Sequence, residues 1–116
     1  MQVKGIDATY YTVKDLSKAT EFYTKLLGNA PTMQQPDFVS EWTFGGGETF
    51  GLYQSEQASP GGSAMFAVDD VAQAVKDAQA QGVQLHGNGE ITDTPGCHMA
   101  FGEDPEGNQF ILHKRK

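Results

Sequence analysis

Residues 13–28 read V-K-D-L-S-K-A-T-E-F-Y-T-K-L-L-G, and this stretch decides the fold. Its apolar side chains recur at helical spacing, so they line one face of a helix. Asp15 stands where a side-chain oxygen can accept from the first free N–H groups, and Gly28 stands where a helix can end in the left-handed conformation. The segment therefore predicts an amphipathic helix with defined ends, in which Asp15 has a structural role.

The beginning of this segment recurs in the second half of the chain. Residues 68–74 read V-D-D-V-A-Q-A, against V-K-D-L-S-K-A at residues 13–19. A second helix is therefore predicted, capped by Asp70 and ending at Gly82. A β-type run precedes each capping aspartate, at residues 8–13 and 64–68. The repeat indicates one structural module written twice.

Three short strand candidates follow each helix, separated by turn sequences. The polar stretch at residues 55–62 is interpreted as a linker between module one (about residues 1–54) and module two (about residues 63–116) of a single domain. The D-P-E-G-N sequence at residues 104–108 is interpreted as a turn, because proline fixes φ and glycine accepts positive φ. The strand candidates cover residues 30–35, 38–44 and 48–54 in module one and residues 83–87, 92–102 and 106–113 in module two.

Composition and charge restrict the classes of function. The chain carries 15 acidic against 8 basic residues, and residues 26–75 contain no Lys or Arg, which argues against a nucleic-acid partner. No stretch approaches the ~20 apolar residues of a membrane span, and the first residues lack the apolar centre of a signal peptide. We therefore expect a cytoplasmic protein without a membrane partner. Cys97 is the only cysteine, which excludes an internal disulfide and a CxxC site.

The ordered set of motifs resembles the glyoxalase/bleomycin-resistance/dioxygenase, or vicinal oxygen chelate, superfamily. The set consists of A-x-x-F-Y-x-x-L-L-G at residues 19–28, the V-D-D helix start at residues 68–70 and D-P-E-G-N at residues 104–108. The resemblance implies an α+β fold of two tandem βαβββ modules, with sheets curved around a cleft and helices on the convex side. It also implies a homodimer. Function stays open among lyases, thiol transferases, dioxygenases, epimerases and drug-binding proteins.

Enzymes of this superfamily hold a divalent metal with His, Gln or Glu on strands that face the cleft. Matched motif by motif, three of these positions fall on Ala8, Ser63 and Ile111. Alanine and isoleucine cannot coordinate a metal, and a serine hydroxyl is a poor replacement for imidazole or carboxylate. The resemblance thus implies a member of the superfamily without a metal, and no other cofactor is indicated.

Strand parity indicates which side chains face the cleft. Side chains alternate between the two faces of a strand, so with Val13, Phe66 and Phe110 assigned to the core, the intervening positions face the cleft. The predicted ligand-binding residues combine such positions with aromatic and histidine side chains on other strands. They are Tyr10, Thr12, Trp42, Tyr53, Ser63, Met65, His98, Ile111 and His113.

Candidates for catalysis are few. No residue is assigned as catalytic, and His113 is the one candidate for proton transfer, against the alternative of a histidine at the rim of the cleft. Glu41 and Glu48 are interpreted as solvated carboxylates. Cys97 is interpreted as a small, partly buried side chain.

The aromatic residues and the unsuitable metal positions favour a pocket for a cationic or aromatic organic molecule. We therefore predict a metal-independent small-molecule binding protein, of a drug-binding or sequestering type. The alternative is a lyase or isomerase with an acid–base or cryptic metal site, and a third class is an interaction module. The sequence leaves open the ligand, any catalysis, which aromatic residues line the cleft, and whether modules pair within one chain or between chains.

Overall fold

Each half of the chain folds into one helix packed against one face of a four-stranded sheet, in a computed structural model that describes residues 1–116. The prediction of two tandem βαβββ modules is thus confirmed. Module one contains β1 (Ala8–Val13), α1 (Leu16–Leu27), β2 (Met33–Gln35), β3 (Val39–Thr43) and β4 (Thr49–Gln54). Module two contains β5 (Ser63–Ala67), α2 (Val71–Ala80), β6 (Thr92–Asp93), β7 (Cys97–Glu103) and β8 (Gln109–Arg115).

The two sheets have the same topology, as expected for a duplicated module. Their strand orders are β1-β4-β3-β2 and β5-β8-β7-β6. In each sheet the first strand runs parallel to the last, and the other neighbours are antiparallel. Therefore β1 and β5 are edge strands, each paired on one side only.

Both helices begin at the aspartates that the sequence indicated. Asp15 accepts a hydrogen bond from the backbone N–H of Lys18 at 3.0 Å, and Asp70 accepts one from that of Gln73 at 3.1 Å. Gly28 ends α1 with a left-handed φ of 79°. These residues have structural roles. Asp15 and Asp70 satisfy free backbone N–H groups at the helix starts, and Gly28 ends α1 in the left-handed conformation. Neither helix is long and apolar enough to cross a membrane.

The predicted strands between α2 and β7 differ from the structure. The sequence suggested strands over residues 83–87 and 92–102, but the structure has an isolated bridge at Leu85 followed by a short 3-10 turn at His86–Asn88. Gly87, Asn88 and Gly89 all have positive φ, which is incompatible with an extended strand. Residues 94–96 likewise form a bend that separates β6 from β7.

The two modules share one apolar core. Phe22, Leu26 and Phe66 pack against the core clusters of both modules. The ring centroids of Phe50 and Phe66 lie 5.1 Å apart, and those of Phe22 and Phe110 lie 5.9 Å apart. Such aromatic pairs stabilise by about 0.5–1.5 kcal/mol beyond the burial of their area. The helix-covered faces of both sheets therefore contribute to a single core.

The D-P-E-G-N turn joins the two modules as well as strands β7 and β8. Asp104 is 5% exposed and accepts a hydrogen bond from Tyr23 Oη of α1 at 2.9 Å. Burial, aided by Asp104, raises the pKa of Tyr23, so its phenol remains a donor. Glu106 accepts from the backbone N–H groups of Lys14 and Asp15 at 2.6 and 2.8 Å. The interpretation of these carboxylates as turn formers was incomplete, because both also bind module one.

Candidate functional site

Each sheet has one face covered by its helix and one face that no helix covers, which we call the open face of that module. On β1, Tyr11 and Val13 are buried under α1, so the alternating residues belong to the open face. Strand register then defines the rest of each face. The open face of module one includes Tyr10, Thr12, Met33, Glu41, Gly51 and Tyr53, and that of module two includes Ser63, Met65, Met99, Phe101, Ile111 and His113.

Tyr10, Gly51 and Glu41 are direct neighbours across β1, β4 and β3. The Tyr10 ring lies over Gly51, where a Cβ atom would overlap it, and the Tyr10 hydroxyl donates to Glu41 Oε2. The hydrogen bond to Glu41, followed by burial, raises the pKa of Tyr10 to about 12. Tyr10 is therefore a neutral donor near pH 7, and Glu41 is a half-buried acceptor rather than the solvated carboxylate that the sequence suggested.

Two further aromatic rings lie beside this pair. The ring centroid of Tyr53 is 4.7 Å from that of Tyr10 and 5.6 Å from that of Phe38. Phe38 is 51% exposed and Tyr53 is 37% exposed. Exposed rings next to a carboxylate can stack on planar ligands and attract cations. We call Tyr10, Phe38, Glu41 and Tyr53 the aromatic–carboxylate group.

The metal positions implied by the family resemblance do not fit a metal ion. Ala8 and Ile111 offer only hydrocarbon, and Ser63 offers one hydroxyl. Gly51 is the module-one counterpart of Ile111 by strand register, and the Tyr10 ring fills the space that a ligating side chain there would need. No three His, Cys, Asp or Glu side chains of the structure are grouped so that they could hold a metal.

The open face of module two is mainly apolar. Met65, Ile111 and Phe101 are direct neighbours across β5, β8 and β7. Met65 is 52% exposed, whereas Ile111 is buried. His113 lies opposite Met99 and is partly exposed. The predicted candidate for proton transfer therefore lies on the expected face, beside apolar side chains.

Trp42 does not line this site, contrary to the prediction. It is 2% exposed and packs in the helix-covered core, where its ring centroid lies 5.9 Å from that of Phe50. Its Nε1 donates to the carbonyl oxygen of Asn29 at 2.9 Å. Side chains alternate between the two faces of β3. Because Glu41 lies on the open face, the side chain of Trp42 points toward the helix.

His98 is a second correction. It pairs with Lys114 on β8, one position away from the row that contains His113, so it lies on the opposite face of the sheet. Its Nε2 is 3.4 Å from Asp93 Oδ1 on the surface. The hydrogen bond from Lys116 to the same carboxylate lowers the pKa of Asp93. His98 therefore belongs to a surface ion-pair cluster away from the open face.

The remaining predicted binding residues all lie on the open faces, and their role in binding stays a prediction. They are Tyr10, Thr12, Tyr53, Ser63, Met65, Ile111 and His113. Sequence reasoning missed Phe38 and the role of Glu41. With Trp42 assigned to the core, alternation along the strand would have placed Glu41 on the open face. The contact of Glu41 with Tyr10, however, depends on the pairing of distant strands.

Two grooves of the chain lie away from the open faces. One, of about 500 Å³, lies between the C-terminal ends of α1 and α2. The other, of about 360 Å³, lies beside the start of α1 and is lined in part by Lys18, Pro60 and Glu106. Neither is lined by open-face residues.

The fold agrees with the comparison to known families. The model of the Glyoxalase/Bleomycin resistance protein/Dioxygenase superfamily matches residues 5–112. The chain therefore belongs to that superfamily, as its motifs indicated. No curated protein is similar enough in sequence to match the chain.

Solved structures show the same fold at low sequence identity. A glyoxalase/bleomycin resistance protein from Catenulispora acidiphila has a TM-score of 0.81 at 18% identity, with 95% of this chain and 98% of that chain covered. A lactoylglutathione lyase from Agrobacterium tumefaciens has a TM-score of 0.80 at 18% identity, with 97% and 95% covered. A virulence protein from Salmonella typhimurium has a TM-score of 0.78 at 20% identity, with 98% of each chain covered. These likenesses concern the fold alone.

Proposed function

We propose that the protein is a metal-independent binding protein for small aromatic cations, which it holds on the aromatic–carboxylate group in the cytoplasm. The observation that carries the proposal is the Tyr10–Glu41 hydrogen bond across Gly51, next to the exposed rings of Tyr53 and Phe38. In this arrangement the Tyr10 ring lies over Gly51, the module-one counterpart of Ile111. It also leaves two aromatic rings free to contact a ligand.

Charge and aromatic character favour the same ligand class. A cation over the face of an aromatic ring gains about 0.5–2 kcal/mol, and a nearby carboxylate adds Coulomb attraction. Glu41 is the only charged residue among the open-face residues of module one, and the chain as a whole has a net charge of −7. A planar cation would therefore meet attraction at short range and at long range.

The proposal is tested with three probes of similar shape: trimethylanilinium as the cation, tert-butylbenzene as the neutral isostere and benzenesulfonate as the anion. We expect trimethylanilinium to bind about tenfold more tightly than tert-butylbenzene, a difference of about 1.4 kcal/mol, and benzenesulfonate to bind most weakly. Isothermal titration calorimetry at low and moderate salt would measure this, with cation affinity falling as salt screens the long-range part. Equal or tighter binding of the anion would refute the cation proposal.

An acid–base enzyme of the lyase or isomerase type is the second candidate. The Tyr10–Glu41 contact supports it, because a hydroxyl donor and a carboxylate lie side by side, and His113 is available on the other open face. The raised pKa of Tyr10 restricts it to donating a hydrogen bond or a proton near neutral pH. Exchange of α-hydrogens of a bound ketone into D₂O, lost on Glu41→Gln, would favour this candidate over simple binding.

A further inference from the structure

The Glu41 carboxylate has one oxygen that is engaged and one that is free. The Tyr10 hydroxyl donates to Glu41 Oε2, whereas Glu41 Oε1 has no hydrogen-bond partner in the structure. The side chain is half-buried, yet no fully buried side-chain oxygen of the chain lacks a partner, so Glu41 Oε1 is accessible. A charged acceptor in a partly desolvated place forms a stronger hydrogen bond than the same group in water. Glu41 Oε1 is therefore available to an N–H donor of a ligand.

Two threonine hydroxyls lie on the side of Glu41 away from the aromatic rings, and we call Thr43 and Thr49 the hydroxyl pair. Thr43 follows Glu41 by two residues on β3, so its side chain lies on the same open face. Thr49 is its partner on β4, and the two Oγ1 atoms are 2.9 Å apart. One hydroxyl donates to the other, which leaves unused lone pairs on both oxygens. The hydroxyl pair therefore adds hydrogen-bond acceptors without adding charge.

Strand register arranges these groups in successive rows on the open face of module one. Tyr53 lies in the first row, Glu41 in the next, and the hydroxyl pair in the row beyond. Rows on one face of a sheet are two residues, or about 7 Å, apart along the strands. A ligand whose aromatic ring contacts Tyr53 can therefore reach Glu41 with a nitrogen on a short alkyl chain. The same nitrogen then faces the hydroxyl pair.

We propose that the aromatic–carboxylate group selects aromatic cations that carry N–H donors, namely primary ammonium groups on a short alkyl chain, over quaternary cations. The ring of the ligand lies on Tyr53 and Phe38, and its N–H groups donate to Glu41 Oε1 and to the hydroxyl pair. A quaternary nitrogen keeps the attraction to the rings and to the carboxylate but has no hydrogen to donate. The inference rests on the proposed function, names the ligand class within it, and makes Thr43 and Thr49 specificity-determining residues.

The test compares 2-phenylethylammonium with its N,N,N-trimethyl derivative by calorimetry at pH 7. We expect the primary cation to bind the wild-type protein about tenfold more tightly. Thr43→Val and Thr49→Val each remove an acceptor without changing the shape of the side chain and should each lower this affinity ratio about threefold. Thr9→Val is the matched control, because Thr9 is exposed on the other face of β1, and it should keep the wild-type ratio. Hydration of the two probes is the same with every variant, so a change in the ratio reports on the protein.

Benzenesulfonate, measured alongside, separates this inference from the proposed function. If the trimethyl derivative binds as tightly as the primary cation and both bind more tightly than benzenesulfonate, the selectivity for N–H donors is refuted and cation binding stands. A wild-type ratio in both Thr43→Val and Thr49→Val would also overturn the inference. If benzenesulfonate binds as tightly as both cations, the proposed function and this inference fail together.

Discussion

Replacing Asp104 with alanine is expected to lower the free energy of unfolding by about 3–5 kcal/mol. The buried Asp104 carboxylate accepts from Tyr23 Oη and from the backbone N–H of Glu106, both at 2.9 Å. It also accepts from the backbone N–H and the side-chain Nδ2 of Asn108, at 2.9 and 3.0 Å. Alanine would leave the Tyr23 and Asn108 donors buried without a partner and would break the link between α1 and module two. Urea unfolding followed by circular dichroism measures the change.

Two matched variants distinguish the loss of the Asp104 hydrogen bonds from the general effect of removing a carboxylate. Tyr23→Phe removes one of the four hydrogen bonds and should cost about 1–2 kcal/mol. Asp69→Ala removes an exposed carboxylate that makes no hydrogen bond and should change stability by less than about 0.5 kcal/mol. An Asp104→Ala protein as stable as Asp69→Ala would show that the turn does not hold the modules together.

Glu41→Gln is expected to lower the affinity for trimethylanilinium about tenfold and to leave benzenesulfonate binding unchanged or stronger. The substitution keeps the size of the side chain and an oxygen that can accept from Tyr10, but it removes the negative charge beside the rings. Calorimetry with both probes measures the change in selectivity. Glu48→Gln, in an exposed turn before β4, is the matched control and should keep the wild-type preference. Equal losses for cation and anion would indicate a damaged face rather than a lost charge.

The same substitution has a spectroscopic consequence. Because Glu41 raises the pKa of Tyr10 to about 12, the stability that this hydrogen bond contributes is present below pH 10 and is lost as pH rises through 12. In Glu41→Gln, one tyrosine should ionise at lower pH than in the wild type. Absorbance of tyrosinate against pH, with Tyr10→Phe to identify the signal, would show the shift. An unchanged titration would contradict the assignment of Glu41 as the main cause.

The fold could be predicted because its signals are local and repeated. Asp15 and Asp70 each cap a helix next to them in sequence, and parity along single strands placed Tyr10 and His113 correctly on the open faces. Because the module is duplicated, the helix-start pattern also occurs twice in the sequence. The prediction of a strand over residues 83–87 was wrong. Their apolar residues alternate as in a strand, but Gly87 and its neighbours have positive φ, which ends an extended strand.

The site was harder to predict because its contacts join residues far apart in sequence. Trp42 was assigned to the site for its aromatic ring, although parity places it in the core once Glu41 faces Tyr10. That contact depends on the register of β1, β4 and β3, which the amino-acid pattern does not specify by itself. Nothing in the local amino-acid pattern distinguishes Gly51, yet a Cβ atom there would overlap the Tyr10 ring that donates to Glu41.

The central claim is that the protein binds aromatic cations without a metal. Measuring whether cation binding depends on metal tests it most directly. Trimethylanilinium is titrated into untagged protein before and after treatment with EDTA, and the metal content of the same sample is measured. Because a tyrosine ring fills the space at Gly51, and because Ala8 and Ile111 carry no donor, we predict equal affinity in both titrations and no metal near one per chain. Stoichiometric zinc, nickel, manganese or iron that is lost on His113→Ala, or binding that disappears with EDTA and returns with the metal, would contradict the account.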